Sequence, residues 1–205
     1  MNRGQYYEEM KSRARQVRLD FGISSVRVLR SDLRRIYREY GIRIDLWRPR
    51  TRFKNLRGAY FNDELGPSVL LDAALPDEPA IFTLGHELKH HLVDRDGPAL
   101  AYCDASNEND LIEIGAEVFA AELIFPESEF AERLHDMGVE KGACTAETIV
   151  RLKRKTQTTL SYTGLSKRAV FLGFALSLPK AGWKKLEETI YGEPLYKRIQ
   201  RKRRK

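Results

Sequence analysis

Several features that mark other classes of protein are scarce or absent in this chain of 205 residues. There are only two cysteines, Cys103 and Cys144, and neither lies in a CxxC pair, so the sequence predicts no disulfide-stapled domain. No apolar run approaches the length of a transmembrane helix. There is also no internal repeat, no low-complexity segment, no phosphate-binding glycine loop and no nucleophile elbow, which argues against repeat proteins, P-loop enzymes and α/β-hydrolases.

The composition is that of a soluble globular protein, with 42% hydrophobic and 32% charged residues. A chain of this length can bury one good core and carry a small appended subdomain. The N-terminal residues MNRGQYYEEMKSR contain no apolar signal core, so we expect a cytoplasmic protein. In that reducing compartment both cysteines are interpreted as structural or incidental.

Histidine is also scarce, and its distribution is the strongest signal in the sequence. Three of the four histidines lie within residues 84–93, two of them in the HExxH motif His86-Glu87-Leu88-Lys89-His90. Apolar residues recur at helical spacing around the motif, which predicts a helix over residues 77–94. On such a helix His86 and His90 lie one turn apart and can bind one Zn²⁺, and Glu87 can then reach a metal-bound water.

A zinc site of this kind needs a third protein ligand, and two arrangements compete. Asp96 stands six residues after His90, as in the extended metzincin pattern, but Val93 replaces the glycine that this pattern needs for its turn. In the thermolysin-like arrangement, a glutamate comes from a later helix. The sequence DLIEIGAEVFAAELI at 110–124 predicts that helix, capped by Asp110.

The predicted helix at 110–124 carries Glu113 and Glu117 one turn apart among apolar residues. Carboxylates in so apolar a helix are costly unless they are paired or bind a metal. The simpler alternative is that both face solvent from an amphipathic helix. Gly115 and the alanines at 116, 120 and 121 predict close packing on the HExxH helix.

These two motifs together resemble the ImmA/IrrE family of zinc metallopeptidases. The family's second motif is matched in position by Glu113, Ala116, Phe119, Ala120, Ala121, Leu123 and Pro126. The chain departs from the family pattern at Lys89, which replaces the usual glycine, at Glu117, which replaces Asn or Asp, and at Phe125, which replaces methionine. The resemblance covers about residues 25–175.

The resemblance implies a site and a biological role. His86, His90 and Glu113 would bind Zn²⁺, Glu87 would act as the general base, and Glu117 would hydrogen-bond a ligand histidine. Such proteins relieve repression by cleaving a helix-turn-helix repressor, so we expect a zinc-dependent regulatory endopeptidase. The alternative is a non-enzymatic regulator of the same fold that binds DNA or a repressor through basic surfaces. Three residues are candidates for stabilising the oxyanion: Tyr60, His91 and Arg168. His91 is the weaker one on an ideal helix, because it points about 100° away from the adjacent ligand.

The predicted fold class is α+β, mostly helical, with a small antiparallel sheet beside the HExxH helix and further helices at the C-terminal end. The first 126 residues are predicted to hold the zinc-peptidase core, 127–192 a helix-turn-helix-like segment, and 193–205 a basic, disordered tail. The expected helices of the core are 5–21, 33–40, 77–94 and 110–124, its strands are 42–46, 57–62 and 68–72, and the later helices are 127–137, 145–155, 161–172 and 183–191.

Charge differs sharply between segments. Residues 1–60 hold 16 basic against 6 acidic side chains, 61–147 hold 4 against 20, and 148–205 hold 16 against 3. The tail 197–205 has seven positive charges and no acid. Basic flanks of this kind either bind nucleic acid or an acidic partner, or neutralise the acidic middle of the same chain.

Overall fold

The structure is a computed structural model that describes residues 2–48, 56–95, 100–102, 111–194 and 197. In this part of the chain there are eight helices and one four-stranded sheet, which confirms the predicted α+β class. Contacts divide the chain into two compact units, Met1–Pro126 with Thr158–Leu160, and Glu127–Gln157 with Ser161–Lys205. The assignment of a catalytic core, a helix-turn-helix-like segment and a disordered tail stays a prediction.

The first unit contains four helices: α1 (Arg3–Asp20), α2 (Arg30–Glu39), α3 (Asp77–Val93) and α4 (Leu111–Ile124). Asn2 caps α1 and exchanges hydrogen bonds with Gln5. Helix α2 begins three residues before the predicted start, and Leu29 is its N-cap residue. The carboxylate of Asp32 reaches back and accepts a hydrogen bond from the backbone N–H of Leu29 at 2.8 Å.

The sheet consists of β1 (Arg43–Trp47), β2 (Gly58–Asp63), β3 (Gly66–Asp72) and β4 (Leu100–Tyr102), in the order β1-β3-β2-β4. Strands β2 and β3, which correspond to the predicted strands 57–62 and 68–72, pair antiparallel as a hairpin. The expectation of a wholly antiparallel sheet was wrong, because β1 pairs with β3 in parallel. The hairpin partner β2 occupies one side of β3, so β1 pairs with the other side. Strands β1 and β3 run in the same direction, and β2, which lies between them in the sequence, runs opposite to both.

Strand β4 was not predicted. It pairs antiparallel with β2 over only three residues, which is too short to show an alternating pattern in the sequence. The edge strands of the sheet are therefore β1 and β4.

Helix α3 lies at the centre of the first unit, where it contacts α2, α4, β2 and β3, while α1 packs along α4. Leu84 and Leu88 of α3 and Phe119 of α4 are buried in this core. The hydroxyl of Tyr37 on α2 donates to the carbonyl of Leu84 at 2.7 Å. The motif helix is thus held on several sides, which suits an element that must position side chains accurately.

The second unit contains α5 (Glu127–His135), α6 (Ala146–Thr156), α7 (Tyr162–Phe171) and α8 (Trp183–Tyr191). Ser161 caps α7 and accepts a hydrogen bond from the N–H of Gly164 at 3.1 Å. Cys144 is buried, and burial raises the pKa of its thiol to about 11, so it is a poor nucleophile at neutral pH. Cys103 lies outside the described residues, as do Asp96 and Asp110. None of the helices described combines the length and the apolar character that crossing a bilayer requires.

Candidate metal and catalytic site

His86 and His90 face the same side of α3, as their spacing of four residues predicts. Their ring centroids are 5.1 Å apart and their Nε2 atoms 3.3 Å apart. In a tetrahedral zinc site with bonds of about 2.0–2.1 Å, two ligand nitrogens are separated by roughly 3.3–3.4 Å. The two imidazoles are therefore spaced as ligands of one ion.

Glu113, in the first turn of α4, completes the cluster. Its Oε2 atom lies 3.2 Å from Nε2 of His86, and its Oε1 atom lies 3.5 Å from Nε2 of His90. The ligand atoms of the three residues all lie within 4.8 Å of one another. Two nitrogens and one carboxylate oxygen form a donor set typical of catalytic zinc sites, which leave a fourth position open.

Small residues bring α3 and α4 close enough for this arrangement. A Cβ atom at Gly85 would lie only 3.3 Å from Cβ of Ala120, so the two helices nearly touch there. The predicted role of Gly115 was wrong, because it makes room for α1 rather than for α3. A Cβ atom at Gly115 would lie 2.5 Å from the ring of Tyr6.

Glu87 is almost completely buried beside His86 and is not one of the three clustered ligands. Gly58 of β2 leaves it space, since a Cβ atom at position 58 would lie 2.4 Å from Cγ2 of Thr83 and 3.0 Å from Oε1 of Glu87. Burial and then the negative charge of Glu87 raise the pKa of Tyr37 well above its usual value. A buried carboxylate next to a candidate metal ligand is suitably placed to accept a proton.

Asp94 is a member of the site that the sequence analysis missed. Its Oδ2 atom accepts a hydrogen bond from Nδ1 of His90 at 2.8 Å and another from Nζ of Lys89 at 2.6 Å. Burial alone would raise the pKa of Asp94, but these hydrogen bonds and the neighbouring positive charges lower it. A carboxylate on Nδ1 fixes the tautomer of His90 and directs the Nε2 lone pair toward the cluster. The only signal in the sequence was an acidic residue four positions after His90.

The pKa of His86 responds to the surrounding acids. Burial lowers it, but the hydrogen bond with Glu113 and the charges of Glu87, Glu113 and Glu117 outweigh burial, so the net shift is upward. Because a metal needs the neutral imidazole, protons compete with it for His86 as the pH falls.

Glu117 lies near enough to His86 to influence its pKa, but its side chain is exposed. Its role as the hydrogen-bond partner of a ligand histidine stays a prediction. The carboxylate of Asp94 contacts the Nδ1 atom of His90, which is the ring nitrogen that faces away from the cluster.

Two of the three candidates for stabilising the oxyanion contact each other. The hydroxyl of Tyr60 lies 3.0 Å from Nδ1 of His91, and both side chains are buried. Burial lowers the pKa of His91, and the charge of Arg95 lowers it further, which favours the neutral ring. Arg168 belongs to the second unit and is buried there.

Comparison with known proteins places the chain in a peptidase family. Residues 43–163, more than half of the chain, match the peptidase M78 family model, described as an IrrE N-terminal-like domain. No curated protein shows a significant match to the sequence. The matched range includes α3 and α4, and with them His86, His90 and Glu113, the three residues that could hold a metal ion.

Proposed function

Because the chain belongs to the peptidase M78 family, with an IrrE N-terminal-like domain, we propose that it is a zinc-dependent endopeptidase of regulatory type. The observation that carries the proposal is the cluster of His86, His90 and Glu113, whose ligand atoms lie within 4.8 Å of one another. The spacing of their nitrogen and oxygen atoms fits a tetrahedral zinc ion, and the donor set is that of zinc hydrolases.

Each residue of the site has its own role in the proposed reaction. His86, His90 and Glu113 would hold Zn²⁺, which supplies a Lewis acid that polarises the substrate carbonyl and acidifies water. Glu87 would accept the proton of the attacking water and pass it to the leaving amine. Asp94 keeps His90 in the tautomer that presents Nε2 to the cluster.

We propose a helix-turn-helix repressor as the protein substrate. The family resemblance supports this substrate, and the sheet offers a way to present an extended peptide. Strand β4 is an edge strand that pairs with β2, and β2 lies against Glu87 through Gly58. A substrate segment that adds to this edge as a further strand would be bound by main-chain hydrogen bonds near the general base.

The proposal is tested by removing and restoring the metal. The purified protein is stripped with a chelator, reloaded with Zn²⁺ and incubated with a helix-turn-helix repressor, chosen first from the open reading frames next to its own. We expect specific cleavage on a gel with zinc and none without it. Binding of the repressor without cleavage by the zinc-loaded protein would favour the non-enzymatic regulator instead.

The basic C-terminal end supports a second, subsidiary proposal, that it tethers the protein to nucleic acid. Residues 198–205 carry six of the seven positive charges of the tail. Lys197 pairs with Glu188 of α8, so a cut after Lys197 preserves this ion pair. Basic segments of this kind bind phosphates without sequence preference and release counterions.

Removal of residues 198–205 is therefore expected to leave the melting temperature and the zinc content unchanged and to weaken binding to duplex DNA. The slope of log K against log salt should fall by about 0.9 for each phosphate that the shortened protein no longer neutralises. Fluorescence anisotropy between about 50 and about 200 mM salt measures this slope. A strong fall in melting temperature would instead give the tail a structural role.

A further inference from the structure

The motif helix contains a buried cation that zinc binding alone does not require. Lys89, between Glu87 and His90 in sequence, has a fully buried side chain, and the family pattern has glycine at this position. Taking an ammonium group out of water costs several kcal/mol unless partners compensate for the lost hydration. The partners of Lys89 therefore show what the side chain does.

The first partner connects Lys89 to a ligand histidine. Its Nζ atom donates to Oδ2 of Asp94 at 2.6 Å, and the same oxygen accepts from Nδ1 of His90 at 2.8 Å. Lys89 thus fixes the carboxylate oxygen that orients the ring of His90. Since Asp94 lies at the end of α3, where helices fray, this second anchor limits the movement of its side chain.

The second partner connects Lys89 to the helix that carries the third ligand. The Nζ atom also donates to the backbone carbonyl of Ile112 at 3.0 Å, directly before Glu113 in the first turn of α4. The ring of Tyr6 on α1 covers the ammonium group, with 5.7 Å between Nζ and the ring centroid. The side chain of Lys89 therefore contacts both the carboxylate that orients His90 and the backbone directly before Glu113.

We propose that Lys89 is a positioning residue that sets His90 and Glu113 at the separation a metal ion needs. This inference rests on the proposed zinc site and concerns how tightly that site binds. Lys89 contacts neither the ion nor the substrate in this scheme, and acts through Asp94 and through the backbone of α4. The glycine usual in the family can form neither of these hydrogen bonds.

The test compares Lys89→Met with Lys11→Met. Methionine keeps most of the length of lysine and removes the ammonium group. Lys11 is a matched control, because it is a buried lysine of the same unit whose Nζ atom pairs with a carboxylate, that of Glu8, at 2.8 Å. Zinc affinity is measured by competition with a chromogenic chelator, and ligand geometry by the visible absorption of the Co²⁺-substituted protein.

We expect Lys89→Met to bind zinc about 10–100-fold more weakly, the range typical of outer-sphere substitutions at metal sites, and to change the Co²⁺ spectrum. Lys11→Met should match the wild type in both measurements. Wild-type zinc affinity and spectrum in folded Lys89→Met would overturn the proposal, as would tighter binding. A lower melting temperature with unchanged zinc affinity would also overturn it, by reducing Lys89 to a purely structural role.

Circular dichroism checks that each variant is folded. The double variant Lys89→Met/Asp94→Asn serves as a second test. The single change Asp94→Asn leaves a buried ammonium group without its carboxylate, whereas the double variant removes both charges together. If Lys89→Met fails to fold, zinc affinity is measured on the double variant instead. A double variant that binds zinc as tightly as the wild type contradicts the proposal. Wild-type protein that binds no zinc refutes the proposed function itself, so the two failures are distinguishable.

Discussion

Glu87→Gln is expected to cleave the repressor at least about 10²–10⁴-fold more slowly than the wild type, while it keeps its zinc and its fold. Glutamine has nearly the shape of glutamate, so the space that Gly58 leaves beside residue 87 stays filled. The amide cannot accept a proton, and Glu87 is not one of the three clustered ligands. Cleavage is followed on a gel over time, and zinc content is measured by mass spectrometry on the same samples.

Glu78→Gln is the matched control for this experiment. It makes the same chemical change in the first turn of the same helix, away from the motif, and should cleave at the wild-type rate. The variant Glu87→Gln should also still bind the repressor, because the sheet and the basic segments are unchanged. Cleavage by Glu87→Gln at the wild-type rate would refute the peptidase mechanism and favour the non-enzymatic regulator.

Loss of a metal ligand is expected to have the second large effect. The purified protein should carry about one zinc per chain, and His86→Ala or His90→Ala should abolish zinc binding. Glu113→Gln should weaken zinc binding, because a neutral amide is a poorer ligand than a carboxylate. The carboxylate oxygen that the change affects lies 3.2 Å from Nε2 of His86, which is a suitable distance for two ligands of one ion. Zinc content by mass spectrometry and affinity by chelator competition measure both effects.

Two control variants make the result specific. His135→Ala removes the fourth histidine, which lies in the second unit with an exposed side chain, and should keep zinc. Asp96→Asn removes the rival metzincin-type ligand and should also keep zinc. If Asp96→Asn loses zinc while Glu113→Gln retains it, the third ligand has been misassigned. Full zinc occupancy in both histidine variants would refute the site.

The sequence alone was sufficient for the helices that carry the site and for the pairing of β2 with β3. Local patterns determine these features: His86 and His90 are one helical turn apart on any α-helix, and a short turn at 64–65 joins the adjacent strands β2 and β3. The apolar surroundings of Glu113 pointed to a partner because buried carboxylates need one. The motif pair also identified the family, which the match over residues 43–163 confirms.

Only the tertiary structure decided which distant residues meet. The parallel pairing of β1 with β3 and the short strand β4 depend on long-range contacts that leave little periodicity in the sequence. Gly115 lies against Tyr6 rather than against α3, and this requires knowing where α1 packs. The hydrogen bonds from Lys89 and His90 to Asp94 join residues near one end of α3. The burial of Lys89 nevertheless depends on α1 and α4. A lysine in a helical sequence pattern is normally solvated, and only the packing of α1 and α4 beside α3 makes the ammonium group of Lys89 part of the site.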